Sequence, residues 1–311
     1  MFVTVTPNPA LDRFAVVPEF RPGMRHDIKA LVPQPGGKGI NVARGLKAFG
    51  MPVVATGFVA GETGRLIRSG LERLGVPTDF VFVPGESRTC VTILDPARVT
   101  CTTLHEEGPE VTQQDTTRLH AVLGRLGARA EDMVFSGSLA PGLPPDSYRR
   151  WIEAHQRGGG RAILDASGPA LYHGLEGRPF LVKPNQAEAE ELLGYALDGE
   201  TRLVQALETL RARAHVAIVT LGPRGAVVAA EGERWRVLPP PVSAPLDRTG
   251  SGDAFLAGFL VGLRRGLPIR GASILAAAAG AAQAQLQGAG HIRLEALERL
   301  AGQVRVEQLG R

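Results

Sequence analysis

The chain's 311 residues carry a net charge of +4, with 21% charged and 5% aromatic residues. Its basic residues are scattered in pairs such as Arg149-Arg150 and Arg264-Arg265, which favours a small anionic substrate over a nucleic-acid surface, and so few aromatics argue against base-stacking platforms. Cys90 and Cys101 read as reduced thiols, Met1 to Thr6 lacks a basic n-region, and no apolar run reaches membrane length, so a soluble, cytoplasmic protein without membrane contact is expected.

The length fits one large α/β domain over residues 1–311, with an insertion. Residues 2–6 alternate like a strand and run into Pro7-Asn8-Pro9-Ala10-Leu11-Asp12, a rigid turn expected to place Asp12 just beyond a strand end, where open α/β sheets bind ligands. Asp12 could accept two hydroxyls or cap the turn. Phe14–Val17 and Ile28–Val32 look like short strands, as do Phe80–Val83, Thr89–Leu94 and Val99–Leu104. Together they predict a small discontinuous β-sheet formed by about 12–32 and 79–105. Between these patches, Pro35-Gly36-Gly37-Lys38-Gly39-Ile40-Asn41 combines glycines that open the backbone to a ligand, a mobile cation, and an amide that can donate and accept.

From residue 53 the pattern becomes strand, turn, helix. Val53–Val59, Met133–Gly137, Ala162–Asp165, Phe180–Lys183 and Val216–Thr220 are apolar strand candidates, which predicts a parallel sheet covered on both faces. Polar residues follow these strands: Ser136 and Ser138, Asp165, Lys183, Asn185 and Glu188. Asn185 and Glu188, three apart at a helix start, have the form of a capping box, and capping leaves one carboxylate oxygen for other work. Thr220-Leu221-Gly222-Pro223-Arg224-Gly225 reads as a hairpin turn, and Leu294 to Leu309 as an amphipathic helix.

Asp247-Arg248-Thr249-Gly250-Ser251-Gly252-Asp253 sets a carboxylate behind a glycine turn, and Phe255, Leu256, Phe259, Leu260 and Leu263 then recur at helical spacing. A buried helix is expected to start near Gly252. Its free amides and positive dipole end suit phosphoryl oxygens and keep Asp253 ionised, so Asp253 can serve as a general base. Ala254, Gly258 and Gly262 leave a slim opposite face. Phe255 replaces the third glycine of G-x-G-x-x-G, and no G-x-x-x-x-G-K-[ST] occurs, which opposes a dinucleotide dehydrogenase and a P-loop enzyme.

Residues 247–258 resemble the second signature of the ribokinase-like PfkB carbohydrate kinases, and residues 35–44 the first. T-P-N-P-A-L-D at 6–12, S-G-S-L-A-P-G at 136–142 and N-x-x-E at 185–188 extend the likeness along nearly the whole chain. The resemblance implies a three-layer α/β/α ribokinase-like fold with the small β-sheet as lid and dimer interface. It implies ATP-dependent phosphorylation of a sugar, with Asp253 as base and Gly250, Ser251 and Gly252 as anion hole. Asp12, Gly37, Lys38, Asn41, Arg88, Ser138 and Arg25 are carried over as substrate contacts; His26 stands where relatives have an arginine, with Arg25 beside it. Lys183, Asn185, Thr220, Gly222 and Gly225 fall on the nucleotide side, Glu188 and Asn185 on Mg2+ through water, Ala276 to Ala284 against adenine, and a monovalent cation near Asp247. The lid is most similar to fructose-1-phosphate kinases, which points to fructose 1-phosphate, although His105 stands where those enzymes often carry asparagine. Fructose 6-phosphate and tagatose 6-phosphate are the alternative substrates, and a regulator that binds sugar and nucleotide without catalysis is the alternative outside enzymes.

Overall fold

The structure is a computed structural model and describes residues 1–242, 249–286 and 288–310. The chain opens with β1 (Phe2–Thr6), followed by β2 (Ala10–Val16), β3 (Ala30–Gly36), α1 (Lys38–Ala48), β4 (Val53–Ala60), α2 (Gly61–Arg73), β5 (Val81–Val83), β6 (Arg88–Asp95) and β7 (Thr100–His105). There follow α3 (Gln113–Gly127), β8 (Asp132–Ser136), α4 (Ser147–Arg157), β9 (Arg161–Asp165), α5 (Gly168–Glu176), β10 (Leu181–Val182), α6 (Gln186–Leu193), α7 (Glu200–Arg211) and β11 (Val216–Thr220). The last part holds β12 (Ala226–Ala230), β13 (Glu233–Leu238), α8 (Ser251–Arg264), α9 (Ile269–Gln283), α10 (Leu297–Ala301) and β14 (Arg305–Gln308).

Among the described residues the central sheet has ten strands in the order β14-β13-β12-β11-β10-β9-β8-β1-β4-β5. From β5 to β11 neighbouring strands are parallel, and β12, β13 and β14 add antiparallel pairs. Alternate strand residues feed two cores. Phe2, Val134, Ile163 and Ile218 point into one core, which α1, α8 and α9 complete. Val3, Phe135, Leu164 and Val219 point into the other, which α3, α4, α5 and α7 complete. This period-two division of apolar residues makes a three-layer α/β/α body. The chain leaves β1 toward β4 on one side and toward β8 on the other, so the sheet reverses its winding at β1 and opens a crevice at that strand's C-terminal end.

The slim face of α8 packs on α9 so closely that a Cβ on Gly262 would lie 2.6 Å from the Ala272 Cα. Only glycine permits that backbone approach.

The smaller sheet runs β3-β2-β6-β7, with β2 and β6 parallel and both outer pairs antiparallel. Three expectations change. Asp12 does not follow a strand end but lies inside β2, because pairing with β3 and β6 begins at Ala10. Residues 81–83 leave the expected lid and pair with β4 at the edge of the central sheet. The helix expected over Leu294 to Leu309 is short; Arg305–Gln308 instead pairs with β13, satisfying an edge whose N–H and C=O groups would otherwise stand open. Cys90 is buried, Cys101 is exposed, and neither forms a disulfide. No helix among the described residues is long and apolar enough to cross a membrane.

Gly262→Val would force β-branched bulk into the α8–α9 contact. A loss of about 3 kcal/mol, the upper range for overpacking, is expected as a lower urea midpoint with unchanged m-value. An unchanged midpoint would show that the two helices can separate without cost.

Candidate active site

A cavity of about 840 Å³ lies between the C-terminal ends of the central strands and the face of the small sheet. Thr6 lies at the end of β1, Gly137 and Ser138 follow β8, Lys183 and Asn185 follow β10, and Thr220 ends β11; all line it. Register explains the lid's share. Asp12 pairs with Cys90 and Cys90 with His105, while Arg88 and Thr92 flank Cys90 at spacing two. All five therefore share the face that lines the cavity.

At the opposite wall α8 begins. Gly250 caps it with φ 77, a left-handed conformation that glycine adopts without strain, and a Cβ there would come within 2.4 Å of the Ala289 Cβ. The first intrahelical bond runs from Ala254 N to Gly250 O at 2.8 Å. The amides of Ser251, Gly252 and Asp253 thus precede the ladder and are available to an anion. The Ser251 hydroxyl is buried with no hydrogen-bond partner among the described residues.

Asp253 is only 7% exposed and its Oδ2 accepts from Asn41 Nδ2 at 2.9 Å. Burial, reinforced by the charge of Asp165, pushes its carboxyl up to about 6, against the pull of Lys183, Asn41 and Lys38. The helix dipole alone predicted a firmly ionised group. The finding differs: desolvation outweighs the dipole, and the carboxylate, still ionised at neutral pH, has a high proton affinity for an aspartate.

Asp165 is the source of that neighbouring charge. It is fully buried; its Oδ1 accepts from Lys38 Nζ at 2.9 Å and its Oδ2 lies 2.9 Å from Lys183 Nζ. Burial alone would raise the Asp165 carboxyl, but Lys183 and Lys38 outweigh it and hold it below the usual carboxylate value. Lys38 also meets Glu188 Oε1 at 2.6 Å. Burial would lower its ammonium, yet Asp165 and Glu188 hold it above the ordinary lysine value. The capping box is present: Glu188 N donates to Asn185 Oδ1 at 2.9 Å and Asn185 N to Glu188 Oε2 at 2.8 Å. The Glu188 oxygen expected to remain free is therefore held by Lys38.

Gly222 and Gly225 line the cavity in the turn joining β11 to β12, so the hairpin and the cavity wall are one feature. Ala277, Gly280, Ala281 and Ala284 extend the wall along α9. Arg88 lines the cavity and donates from Nε to Asn8 O at 3.2 Å. Arg25 does not reach it: the residue is exposed in the connection between β2 and β3. Beside it His26 binds the Arg21 backbone through Nε2 at 2.9–3.0 Å, so the segment closes on itself. Asp247 lies outside the described residues. Sequence reasoning placed Asp165 after a strand but gave it no role; a carboxylate's partners are tertiary, and neither lysine is near it in the chain. It also passed over Thr6 and Asn8, whose buried oxygens have no hydrogen-bond partner among the described residues.

A helix start with open amides, a buried carboxylate of raised proton affinity and two ammonium groups in one cleft have the chemistry that phosphoryl transfer to an alcohol requires. The chain belongs to the pfkB family of carbohydrate kinases, whose family model matches residues 9–296. Solved structures agree. A Thermotoga maritima protein described as a possible 1-phosphofructokinase is 28% identical over 100% of both chains, with a TM-score of 0.92. Phosphofructokinase-2 from Escherichia coli in complex with potassium is 26% identical over 97% of this chain and 98% of its own, with a TM-score of 0.89. Ribokinase of Arabidopsis thaliana, complexed with ribose and ATP, shares the ribokinase-like fold at 21% identity over 96% of this chain and 98% of its own, with a TM-score of 0.78.

The raised Asp253 carboxyl has a thermodynamic sign. A carboxyl with a folded value above its unfolded value favours folding at acid pH and opposes it once pH rises through the folded value. Asp253→Asn is therefore expected to stabilise the protein at pH 7 by up to about 3 kcal/mol, two pKa units at about 1.36 kcal/mol each, and to lose that advantage below pH 4. Urea melts at the two pH values check this; equal stability at pH 7 would show that the site does not strain the carboxylate.

Proposed function

We propose that the protein transfers the γ-phosphoryl group of ATP to the free hydroxyl of a ketose phosphate, with fructose 1-phosphate the preferred acceptor and fructose 1,6-bisphosphate the product. The observation that carries this reading is the position of Asp253, bonded to Asn41 at 2.9 Å and set in the first turn of α8, in one cavity with Asp12 and Arg88 of the lid. Asp12 and Asn41 hold the sugar hydroxyls, and Arg88 meets the phosphate the sugar already bears. Asp253 takes the hydroxyl proton as the oxygen forms its bond to the γ-phosphorus, and the bond from that phosphorus to the β-phosphate oxygen breaks to release ADP.

The amides of Ser251 and Gly252 and the ammonium of Lys183, which lies 3.7 Å from where a Gly252 Cβ would stand, stabilise the charge on the transferring group. Lys38 joins them from the sugar side, already aimed by Asp165 and Glu188. Magnesium on the triphosphate would neutralise its β- and γ-oxygens. Asn185 and Glu188 fit a hold on it through water, because both Glu188 oxygens are already engaged, Oε1 by Lys38 and Oε2 by the Asn185 backbone amide. Mg2+ commonly keeps its waters and leans on substrate phosphates in this way. A monovalent cation near residue 247 belongs to the same reading, supported by the potassium of the E. coli enzyme.

The lid supports self-association. Leu31 is 45% and Leu104 58% exposed at its outer strands, and register puts both on the face opposite the one that carries Asp12. A homodimer through this sheet would cover them in an isologous contact. Light scattering is expected to give a dimer mass that Leu31→Lys with Leu104→Lys halves. A monomeric parent protein would remove the lid from this role.

Coupled ADP-release assays with fructose 1-phosphate, fructose 6-phosphate, tagatose 6-phosphate and fructose test the reaction. Turnover is expected to be fastest with the first and to fall tenfold per pH unit below about pH 6, where Asp253 protonates. Asp253→Asn should lose about 10²–10⁴ in kcat while keeping its sugar affinity. An active mutant would falsify the base assignment, and tight sugar and nucleotide binding without ADP release by the parent protein would mark a regulator instead.

A further inference from the structure

A sugar phosphate carries two negative charges near neutral pH, and the cavity offers few cations to meet them. Among the described residues its basic side chains are Lys38, Lys183, Arg88 and His105. The two lysines are matched by Asp165 and Glu188 at 2.6–2.9 Å, on the side of α6 and β9. That leaves Arg88 and His105 at the lid. Arg88 donates Nε to Asn8 O, and no bond from its two Nη atoms is formed among the described residues. Arg25, the second cation the sequence suggested, is outside the cavity.

His105 is fixed by register. Cys90 lies directly across from it, Cys90 Sγ is 3.8 Å from its Nδ1, and Arg88 is on the same face two residues before Cys90. On the basis of the kinase reading above, we infer that His105 is the second contact of this chain for the phosphate already on the sugar, gripping it together with Arg88 in place of Arg25. Among the described residues the charged and titratable groups on the ring's face are Arg88 and Cys90 on β6 and Asp12 on β2. Glu106 follows His105 in the chain and turns its carboxylate to Thr89 N at 2.7 Å.

The arrangement makes sugar-phosphate affinity depend on pH. In the free protein partial desolvation of the ring, and then the charge of Arg88, push the His105 imidazole below its usual value although the residue as a whole is exposed, so it is neutral at pH 7. A phosphate dianion between the two side chains reverses that balance and favours the imidazolium. Binding therefore takes up a proton, and affinity falls as pH rises, down to the limit near pH 6 where the phosphate itself protonates.

The test measures KM for fructose 1-phosphate, and KM for fructose, between pH 6.5 and 8.5. The parent protein is expected to show a sugar-phosphate KM that climbs with pH and a fructose KM that does not. His105→Ala should raise the former roughly 10–100-fold at pH 6.5, the loss of one charge-assisted bond, and flatten its pH dependence. His105→Lys should restore a low KM with a flat profile, which a merely structural role would not do, and Arg25→Ala should leave KM within twofold. The inference is overturned if His105→Ala leaves the sugar-phosphate KM and its pH profile unchanged, or if Arg25→Ala has the larger effect; the kinase reading survives either result. Absence of ADP release with every sugar phosphate would instead remove the kinase reading and this contact with it.

Discussion

The buried ion cluster at Asp165 is the constraint on which the rest of the site depends. A carboxylate with no solvent exposure would be strongly disfavoured unless paired, and here each oxygen has its own ammonium, Lys38 from the start of α1 and Lys183 from the end of β10. The cluster thereby ties the first turn after the lid to the strand ends that face α8. Glu188 adds the start of α6 to the same group. Its electrostatic consequence reaches further than its contacts, because the negative charge of Asp165 adds to burial in raising the carboxyl of Asp253.

That arrangement distributes charge in a way suited to phosphoryl transfer. Lys38 and Lys183 stand in the cavity already balanced by Asp165 and Glu188, so neither ammonium is buried as an isolated cation. Burial keeps the Asp253 carboxyl weakly acidic, which brings its proton affinity closer to neutral pH. The lid contributes the other half, a sheet face on which Asp12, Arg88, Cys90 and His105 stand in register over the sheet's switch point. Neither half forms a closed cavity alone, so closure of one on the other is what would shut water out.

The sequence made much of this visible. Alternating apolar strands and glycine-punctuated turns announced a parallel α/β body, the periodicity after Asp253 announced a buried helix to within one residue of its start, and the spacing of Asn185 and Glu188 announced a cap that is present. Motif order was sufficient to identify the family. Less visible were features set by pairing between distant segments: Asp12 within β2, residues 81–83 on the central sheet, and β14 where a helix was expected. Short apolar runs do not state which sheet they join, because strand partners are chosen by competition for open edges.

What the sequence by itself determined, then, was the inventory: which side chains stand at strand ends and helix starts, since local periodicity, glycine turns and caps depend on neighbours within a few residues. Only the tertiary structure decided their electrical roles. Lys38 and Lys183 meet on one carboxylate, Asp253 is drawn toward neutrality by burial, and Arg25 is left outside while His105 comes in. The reason is that Coulomb energy and desolvation depend on distance through space and on dielectric surroundings, and neither quantity exists until segments more than a hundred residues apart have packed together.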